Sequence, residues 1–355
     1  MKLILRDYSG KSDVVAEFVQ NTDDFGATEL TFELSNQKFD KERVVDSRCT
    51  ALQGPALYIL SNKELHEEDI KNMQRVGRSA KGFDFASTGR FGVGMNVMYR
   101  YSDCPQLFAN GRLHFFDLTR EFVAKHNEKR GKQFKQEKLE EMFPDSVQPF
   151  RSYTAQYPVV FRLPLRTRRS ELGEKVDLAS VENDLRDVSA QAFSMLLFAK
   201  WLKKIRFQCP QGPLAEHSVH IDDKVQARQH QEFFASLPAE LGQVGKSQDK
   251  DICVTKRISS KSFKPSPTTS HRTWVVAYTL AFSQGTLRRL CIDHFNSALG
   301  GALLPLGAAA APLDNEKSEG RMLRLQHLYK NMNSHFLVKQ GATMFCLSCH
   351  TRVWH

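Results

Sequence analysis

The stretch Glu17-Phe-Val-Gln-Asn21-Thr-Asp-Asp24 decides the fold that this sequence predicts. The apolar residues within it and just before it recur at helical spacing: Val14, Val15, Phe18 and Val19. This periodicity predicts an amphipathic helix that ends at residues 25–27. Residues four apart share one face of a helix, so Glu17 and Asn21 lie one above the other, with Asp24 a further turn along. Such a polar face, by itself, is also typical of a solvated helix surface.

A glycine-rich box, Gly89-Arg-Phe-Gly92-Val-Gly94, is the second feature with a chemical meaning. Its small residues allow the backbone to approach phosphate oxygens closely, and it opens a predicted helix whose N-terminal amides favour anions. Residues 77–88 are rich in Gly, Ser, Lys and Ala without periodicity, which predicts a mobile loop before the box. A lone glycine box is weak evidence. Together with the helix over 17–24, it predicts a magnesium–nucleotide site split between two elements.

The rest of the chain alternates between predicted strands and predicted helices. Alternating or short apolar runs predict strands at 28–34, 56–60, 113–118, 159–165, 205–209, 218–221, 252–257 and 272–282. Helical spacing and charge patterning predict helices at 67–74, from 95 onward, at 119–142 and at 178–202. We therefore expect an α/β fold with one main domain and an appended half. From residue 299 a run rich in Gly, Ala and Leu predicts a low-complexity linker and a poorly defined tail.

The net charge of +10 and the pI near 9.2 would suit nucleic-acid binding, which uses clustered basic side chains. The distribution of charge argues against it, because basic residues between 125 and 138 alternate with glutamates, as on a solvated helix. The tight basic cluster of the chain is Arg166, Arg168 and Arg169. We therefore do not expect nucleic acid as a partner, and it stays a minor alternative.

No run of about 18 apolar residues is available to cross a bilayer, and the N-terminus turns polar too early for a signal peptide. Seven scattered cysteines, an odd number, indicate a reducing compartment. We therefore expect a cytoplasmic protein without a membrane partner. Cys346-Leu-Ser-Cys349-His350 has the spacing of c-type haem attachment and could also bind zinc. Haem attachment needs an export route and zinc needs a second ligand pair, so we interpret the match as coincidence.

The motif order resembles the GHKL ATPase superfamily, which includes ninety-kilodalton heat-shock chaperones, type II topoisomerases, MutL proteins and histidine kinases. It is most similar to the sacsin branch. The segments that carry the resemblance are Glu17-Phe-Val-Gln-Asn21-Thr-Asp-Asp24-Phe-Gly-Ala-Thr-Glu29, Gly54-Pro-Ala-Leu-Tyr58, Gly77-Arg-Ser-Ala-Lys81 and Gly89-Arg-Phe-Gly-Val-Gly-Met-Asn96-Val-Met-Tyr99. The resemblance implies an α+β two-layer sandwich of the GHKL, or Bergerat, ATP-binding type over residues 1–170. A smaller α/β half over 171–298 and the linker and tail over 299–355 would follow it.

The resemblance also implies the roles of individual residues in binding Mg-ATP. Glu17 matches the general base that activates water for attack on the γ-phosphate, and Asn21 matches the magnesium ligand. Asp24 matches a residue that supports the nucleotide, and Lys81 lies in the predicted lid. The glycines around the phosphates match Gly89, Gly92 and Gly94. The backbone amides expected to donate to the phosphates are those of Phe91, Gly92, Val93 and Gly94.

The chain departs from the superfamily where the adenine is bound. Asn62 stands where an aspartate usually accepts from the adenine amino group, and Val159 stands where a threonine usually binds the base through water. Two hypotheses of function therefore stay open. The first is a chaperone-like domain of the sacsin type that binds ATP and can hydrolyse it, with protein clients or co-chaperones as partners. The second is a non-catalytic interaction module that keeps the fold without turnover.

Two other branches of the superfamily fit less well. A histidine kinase would need a phosphoacceptor helix upstream of Glu17, and the sequence has no such heptad segment. A topoisomerase or MutL protein would need a lysine that reaches the phosphates from a following domain. Lys200, Lys203 and Lys204 cannot be told apart for that role from sequence.

Overall fold

The fold is that of a computed structural model, which describes residues 13–73, 94–124, 131–241, 250–263, 266–280 and 342–348. The described chain divides into two compact units. The first unit contains the described residues up to Ser218 together with 260–269. The second contains the described residues of 219–259 and those from Ser270 onward. The predicted domain boundaries at residues 170 and 298 stay predictions.

Helices and strands alternate along the first unit, as the hydrophobic patterns predict. Its described α-helices are α1 (Asp13–Asp24), α2 (Glu67–Met73), α3 (Gln136–Met142), α4 (Pro144–Val147), α5 (Arg151–Thr154), α6 (Leu178–Ser189) and α7 (Phe193–Phe198). Short 3-10 helices span Ser47–Leu52, Gly94–Arg100 and Gln148–Phe150, and the second of these is called the Gly94 helix below. The strands are β1 (Glu29–Ser35), β2 (Ala56–Ser61), β3 (Gln106–Ala109), β4 (Arg112–Phe115), β5 (Lys132–Lys135), β6 (Val159–Pro164), β7 (Lys204–Cys209) and most of β8 (Gly212–His220).

These strands form a mixed sheet in the hydrogen-bonded order β8-β7-β1-β2-β6-β3-β4-β5. Strand β1 runs parallel to β7. The other neighbours in this order are antiparallel. The predicted mixed α/β fold is therefore confirmed.

The two faces of this sheet bury different apolar layers. On one face, called the α1 face below, the ring of Phe18 in α1 meets Phe161 of β6 edge-on, with centroids 5.2 Å apart. On the other face lies a core cluster that includes Tyr58, Phe108 and Phe150 and apolar side chains of α3 and α4. Successive side chains of a strand point to opposite faces, so one residue of register decides which layer a side chain joins.

The helix predicted over residues 119–142 is correct only at its end. Residues 132–135 form strand β5, and α3 begins at Gln136. Before them, the buried carboxylate of Asp117 accepts the backbone N–H groups of residues 121–124 at 2.8–3.0 Å and holds them as a loop. The backbone groups that a helix would have paired are satisfied in two other ways: β5 pairs with β4, and residues 121–124 donate to the Asp117 carboxylate. Tertiary contacts therefore override the local pattern. Residues 125–130 lie outside the described residues.

The single helix predicted over residues 178–202 is also wrong in part. The structure breaks it into α6 and α7, and Ala199 at the end of α7 is extended, with φ −61° and ψ 139°. The break leaves residues 200–202 as a non-helical turn before β7. Their backbone N–H groups are bonded to a distant side chain, as described below.

The second unit contains α8 (Lys224–Leu241), most of β9 (Lys250–Ser262) and of β10 (Thr268–Leu280), and β11 (Ala342–Ser348). Strand β11 was not expected, because the sequence predicts a poorly defined tail there. It pairs in parallel with β10 and places Cys346 opposite Ala277. Cys349 and His350 lie outside the described residues. Within the described parts of the chain, no helix is both long and apolar enough to cross a membrane.

Candidate functional site

The predicted catalytic and metal-binding side chains share the polar side of α1. Glu17 is half-buried, and Asn21, one turn later, is buried. The Asn21 side-chain nitrogen donates to the backbone carbonyl of Glu17 at 2.7 Å. This bond fixes the carboxamide against its own helix, and the carboxamide oxygen lies on the opposite arm of the group. An amide oxygen is a ligand that Mg²⁺ accepts.

Asp24 lies at the end of α1 and forms a buried ion pair. Its Oδ1 is 2.6 Å from Nζ of Lys200, and their side chains are only 3% and 12% exposed. The structure therefore distinguishes Lys200 from Lys203 and Lys204 as the lysine that meets α1. The ammonium group offsets the charge of Asp24, which would otherwise disfavour an anionic ligand beside this helix.

Asp23, which the sequence did not single out, attaches α1 to the turn before β7. Its carboxylate accepts backbone N–H groups from Lys200 at 2.9 Å, Trp201 at 2.7 Å and Leu202 at 2.8 Å. A carboxylate that receives three amides stabilises the turn, because it accepts hydrogen bonds from backbone N–H groups that lie between α7 and β7. The pair Asp23-Asp24 thus binds one short segment through both its backbone and its lysine. No local pattern could reveal this, since the partners are about 180 residues apart.

The Gly94 helix carries the one residue of the glycine box that the structure describes. Lys81, Gly89, Phe91, Gly92 and Val93 lie outside the described residues, and Gly94 begins the helix. Their predicted contacts with phosphate stay predictions.

Arg166 holds the other end of the Gly94 helix. Its guanidinium donates to the carbonyls of Tyr99 at 2.7 Å and Arg100 at 3.3 Å, and it pairs with Asp103 at 2.5 Å. Arg166 is buried, whereas the side chains of Arg168 and Arg169 are 79% and 81% exposed. The basic cluster of the sequence is therefore not one surface, because its first member is an internal anchor for the last turn of this helix.

Asn62 follows β2 and is already bonded on both arms of its carboxamide. Oδ1 accepts backbone N–H groups from Thr28 at 3.1 Å and Glu29 at 3.0 Å, and Nδ2 donates to Oγ1 of Thr28 at 2.8 Å. These bonds hold the start of β1. The preceding residue, Ser61, is buried and lies opposite Val159 in the register of β2 and β6. Strand alternation puts Ser61, which the sequence did not single out, on the α1 face.

A polar side chain follows four apolar ones in a row that the register aligns across the α1 face of the sheet. The register aligns one residue from each of five neighbouring strands: Phe32, Ile59, Phe161, Leu107 and His114. His114 is 3% exposed. Burial, and secondarily the charge of Arg112, lower the pKa of its imidazole from 6.5 to about 4, so the ring is neutral near pH 7. The described residues contain no group of three or more His, Cys, Asp or Glu side chains that could bind a metal ion.

Comparison with known proteins agrees with the family resemblance that the sequence motifs carry. A family model described as the Sacsin domain matches residues 1–220. Human Sacsin is 26% identical over 254 residues, which covers 63% of this chain and 6% of that protein. Protein NO VEIN of Arabidopsis thaliana is 31% identical over 114 residues, which covers 32% of this chain and 4% of that protein. The chain therefore spans only a small fraction of the length of these relatives.

Proposed function

This chain belongs to the Sacsin domain family, and from that premise we propose that it is an ATP-binding domain of the heat shock protein 90 type with a chaperone-like role. Its first half would adopt the GHKL arrangement, and its ligand would be Mg-ATP. The observation that carries the proposal is the shared face of α1, where a carboxylate, a fixed carboxamide and a neutralised aspartate occur within eight residues, 17–24.

The residues of this face suit the chemistry of a magnesium–phosphate ligand. A hard divalent cation prefers oxygen ligands and, when bound, would offset the negative charge of the phosphates. The Asn21 carboxamide oxygen would hold it, because the nitrogen of that group is used by the Glu17 carbonyl. Glu17, one turn earlier, would orient a water molecule and accept its proton during attack on the γ-phosphate. Lys200 would keep Asp24 from repelling the phosphates.

The glycine box would contribute backbone donors. Gly94 and the amides of Phe91, Gly92 and Val93 before it would bind phosphate oxygens, and Lys81 would approach from the lid. Arg166 supports this half of the proposal, since it fixes the far end of the Gly94 helix through Tyr99 and Arg100. A fixed helix is a precondition for amides that must meet a ligand without reorganising.

Titration of the purified protein with Mg-ATP, followed by calorimetry and by phosphate release, tests this proposal. We expect saturable binding in the wild type, and in Glu17→Ala we expect binding without hydrolysis. Asn21→Ala should weaken binding only when magnesium is present. Glu137→Ala, an exposed carboxylate on α3, is the matched control and should behave as wild type. Absence of saturable binding up to millimolar Mg-ATP would refute the proposal. Hydrolysis that persists in Glu17→Ala would refute the role of Glu17 as general base.

A non-catalytic interaction module is the second candidate, and the bonds of Asn62 favour it. Both lone pairs of its Oδ1 are used by Thr28 and Glu29, so an adenine amino group would have to displace one of them. Val159 cannot donate or accept through its side chain. Under this alternative, protein clients or co-chaperones bind the domain without ATP turnover. Wild-type hydrolysis that disappears in Glu17→Ala would exclude it.

A further inference from the structure

His114 of β4 is a buried polar side chain to which the described residues supply no hydrogen-bond partner. It is 3% exposed, and neither Nδ1 nor Nε2 has a hydrogen-bond partner within the described segments. Most buried polar groups in folded proteins are hydrogen-bonded, and an unpaired one in a native structure requires a reason. By contrast, His217, which is also buried, is bonded through both nitrogens, to the Ser260 hydroxyl at 2.9 Å and the Ser189 carbonyl at 2.7 Å.

The register of the sheet places His114 on the α1 face. It lies directly opposite Leu107, which lies opposite Phe161, and Phe161 contacts Phe18 of α1. Its neighbours in β4, Leu113 and Phe115, belong to the core cluster of the opposite face. Because side chains alternate along a strand, these contacts fix the side of the sheet on which the imidazole lies. Two strand spacings, about 10 Å, separate it from Phe161.

The Gly94 helix reaches the same part of the sheet. Tyr99, near its end, donates its hydroxyl to the carbonyl of Phe116 at 3.3 Å, two residues beyond His114. The Gly94 helix also packs against α1. His114 therefore belongs to the sheet surface next to the two helices that carry Asn21 and Gly94, the residues expected to bind the phosphate half of a nucleotide.

We propose that His114 is a ligand-contacting residue of this site and that it hydrogen-bonds the nucleoside part of a bound nucleotide. This inference rests on the proposed function and deepens it, because the chain has Asn62 and Val159 where the superfamily usually recognises adenine. A neutral imidazole offers one N–H donor and one acceptor, which matches a base edge or a ribose hydroxyl. A phosphate would instead favour a cation, and burial keeps the pKa of His114 at about 4. The two ring nitrogens, which have no partner among the described residues, would gain hydrogen bonds on binding.

Comparison of Mg-ATP with Mg-tripolyphosphate tests the inference, because tripolyphosphate lacks the nucleoside. We expect His114→Leu to weaken Mg-ATP binding at least tenfold in calorimetric titrations and to leave tripolyphosphate binding within twofold of wild type. His114→Gln, which keeps a donor and an acceptor, should lose less. Ligand-free His114→Leu should melt at the wild-type temperature or above it, because the change removes an unpaired polar group. His217→Leu is the matched control and should melt lower, since it loses two hydrogen bonds.

Each outcome is decisive. Equal Mg-ATP affinity in wild type and His114→Leu would overturn the role of His114 and leave the proposed function standing. Equal affinity of the wild type for Mg-ATP and tripolyphosphate would do the same, because the nucleoside would then contribute nothing. A wild type that binds neither ligand would overturn the proposed function, and the inference with it. If His114→Leu does not fold, the inference requires that His114→Gln retain more Mg-ATP affinity than His114→Ala, and equal losses would overturn it.

Discussion

The carboxylate of Asp23 accepts a hydrogen bond of 2.7 Å from the backbone N–H of Trp201, which is 178 residues further along the chain. With the bonds from Lys200 and Leu202, it makes α1 and the turn before β7 one hydrogen-bonded assembly. The helix that carries Glu17 and Asn21 is therefore held at its C-terminal end by a part of the chain that lies between α7 and β7.

Replacement of Asp23 by alanine should destabilise the protein strongly. It would leave three backbone N–H groups of the turn without their acceptor, at a cost of about 3 kcal/mol. Urea denaturation measures the loss. Asp177→Ala is the control, because that carboxylate is exposed and its ion pair with Lys175, at 3.2 Å, is exposed as well, so the change should cost less than about 0.5 kcal/mol. A similar loss in the two variants would contradict the role given to Asp23.

Replacement of Arg162 should cost far more stability than replacement of the surface residue Arg151. The guanidinium of Arg162 is fully buried and donates to the carbonyls of Leu52 at 2.6 Å and Gly54 at 2.8 Å, and to the side chains of Tyr58 and Gln106. Arg162→Met keeps the length of the side chain but removes every donor, and should reduce the free energy of unfolding by about 3–5 kcal/mol.

The control for Arg162 is Arg151→Met, which breaks a surface pair with Glu140. Surface pairs contribute about 0–1 kcal/mol, so this variant should unfold at nearly the wild-type urea concentration. If Arg162→Met were no worse than Arg151→Met, the buried guanidinium would not be holding the connection between β1 and β2.

Arg166→Lys should destabilise the Gly94 helix more than it destabilises the rest of the fold. Lysine keeps the charge near Asp103 but cannot reproduce the planar fork that reaches the carbonyls of Tyr99 and Arg100. Hydrogen exchange measured by mass spectrometry should therefore show faster exchange in peptides that cover residues 94–104 than in those that cover β1 and β2. Uniformly faster exchange would mean that Arg166 stabilises the fold as a whole and not the Gly94 helix in particular.

Acid should destabilise the protein through His114. Its pKa is lowered to about 4 in the folded protein, whereas the unfolded value is near 6.5. The unfolded state therefore binds more protons between these values, and stability falls as the pH drops from about 6.5 to about 4. The full effect is on the order of 3 kcal/mol. Urea denaturation at pH 7, 6 and 5 should show this loss in the wild type.

His114→Leu should flatten that pH dependence. Part of the slope should persist, since burial also lowers the pKa of His217. An unchanged slope in His114→Leu would show that the ring of His114 is not held neutral by its burial.

The sequence by itself determined α1 and its polar face, since helical spacing and the placement of Glu17, Asn21 and Asp24 are local properties. It also determined β1, β2, β6 and β7, whose apolar residues match buried positions of the sheet. Each of these depends on residues within one element, where the period of the pattern equals the period of the backbone.

Only the tertiary structure decided which polar groups have partners. Asp23 and Asp24 look alike in sequence, yet one accepts three amides and the other meets Lys200, and Asn62 is used by the start of β1. The strand β5 and the end of α7 before Ala199 are likewise decided by tertiary contacts. Such contacts join residues that are far apart in the chain, and a hydrogen bond carries no periodic trace in the sequence. The face of the sheet on which the imidazole of His114 lies is decided by register, because a shift of one residue would have placed it on the opposite face.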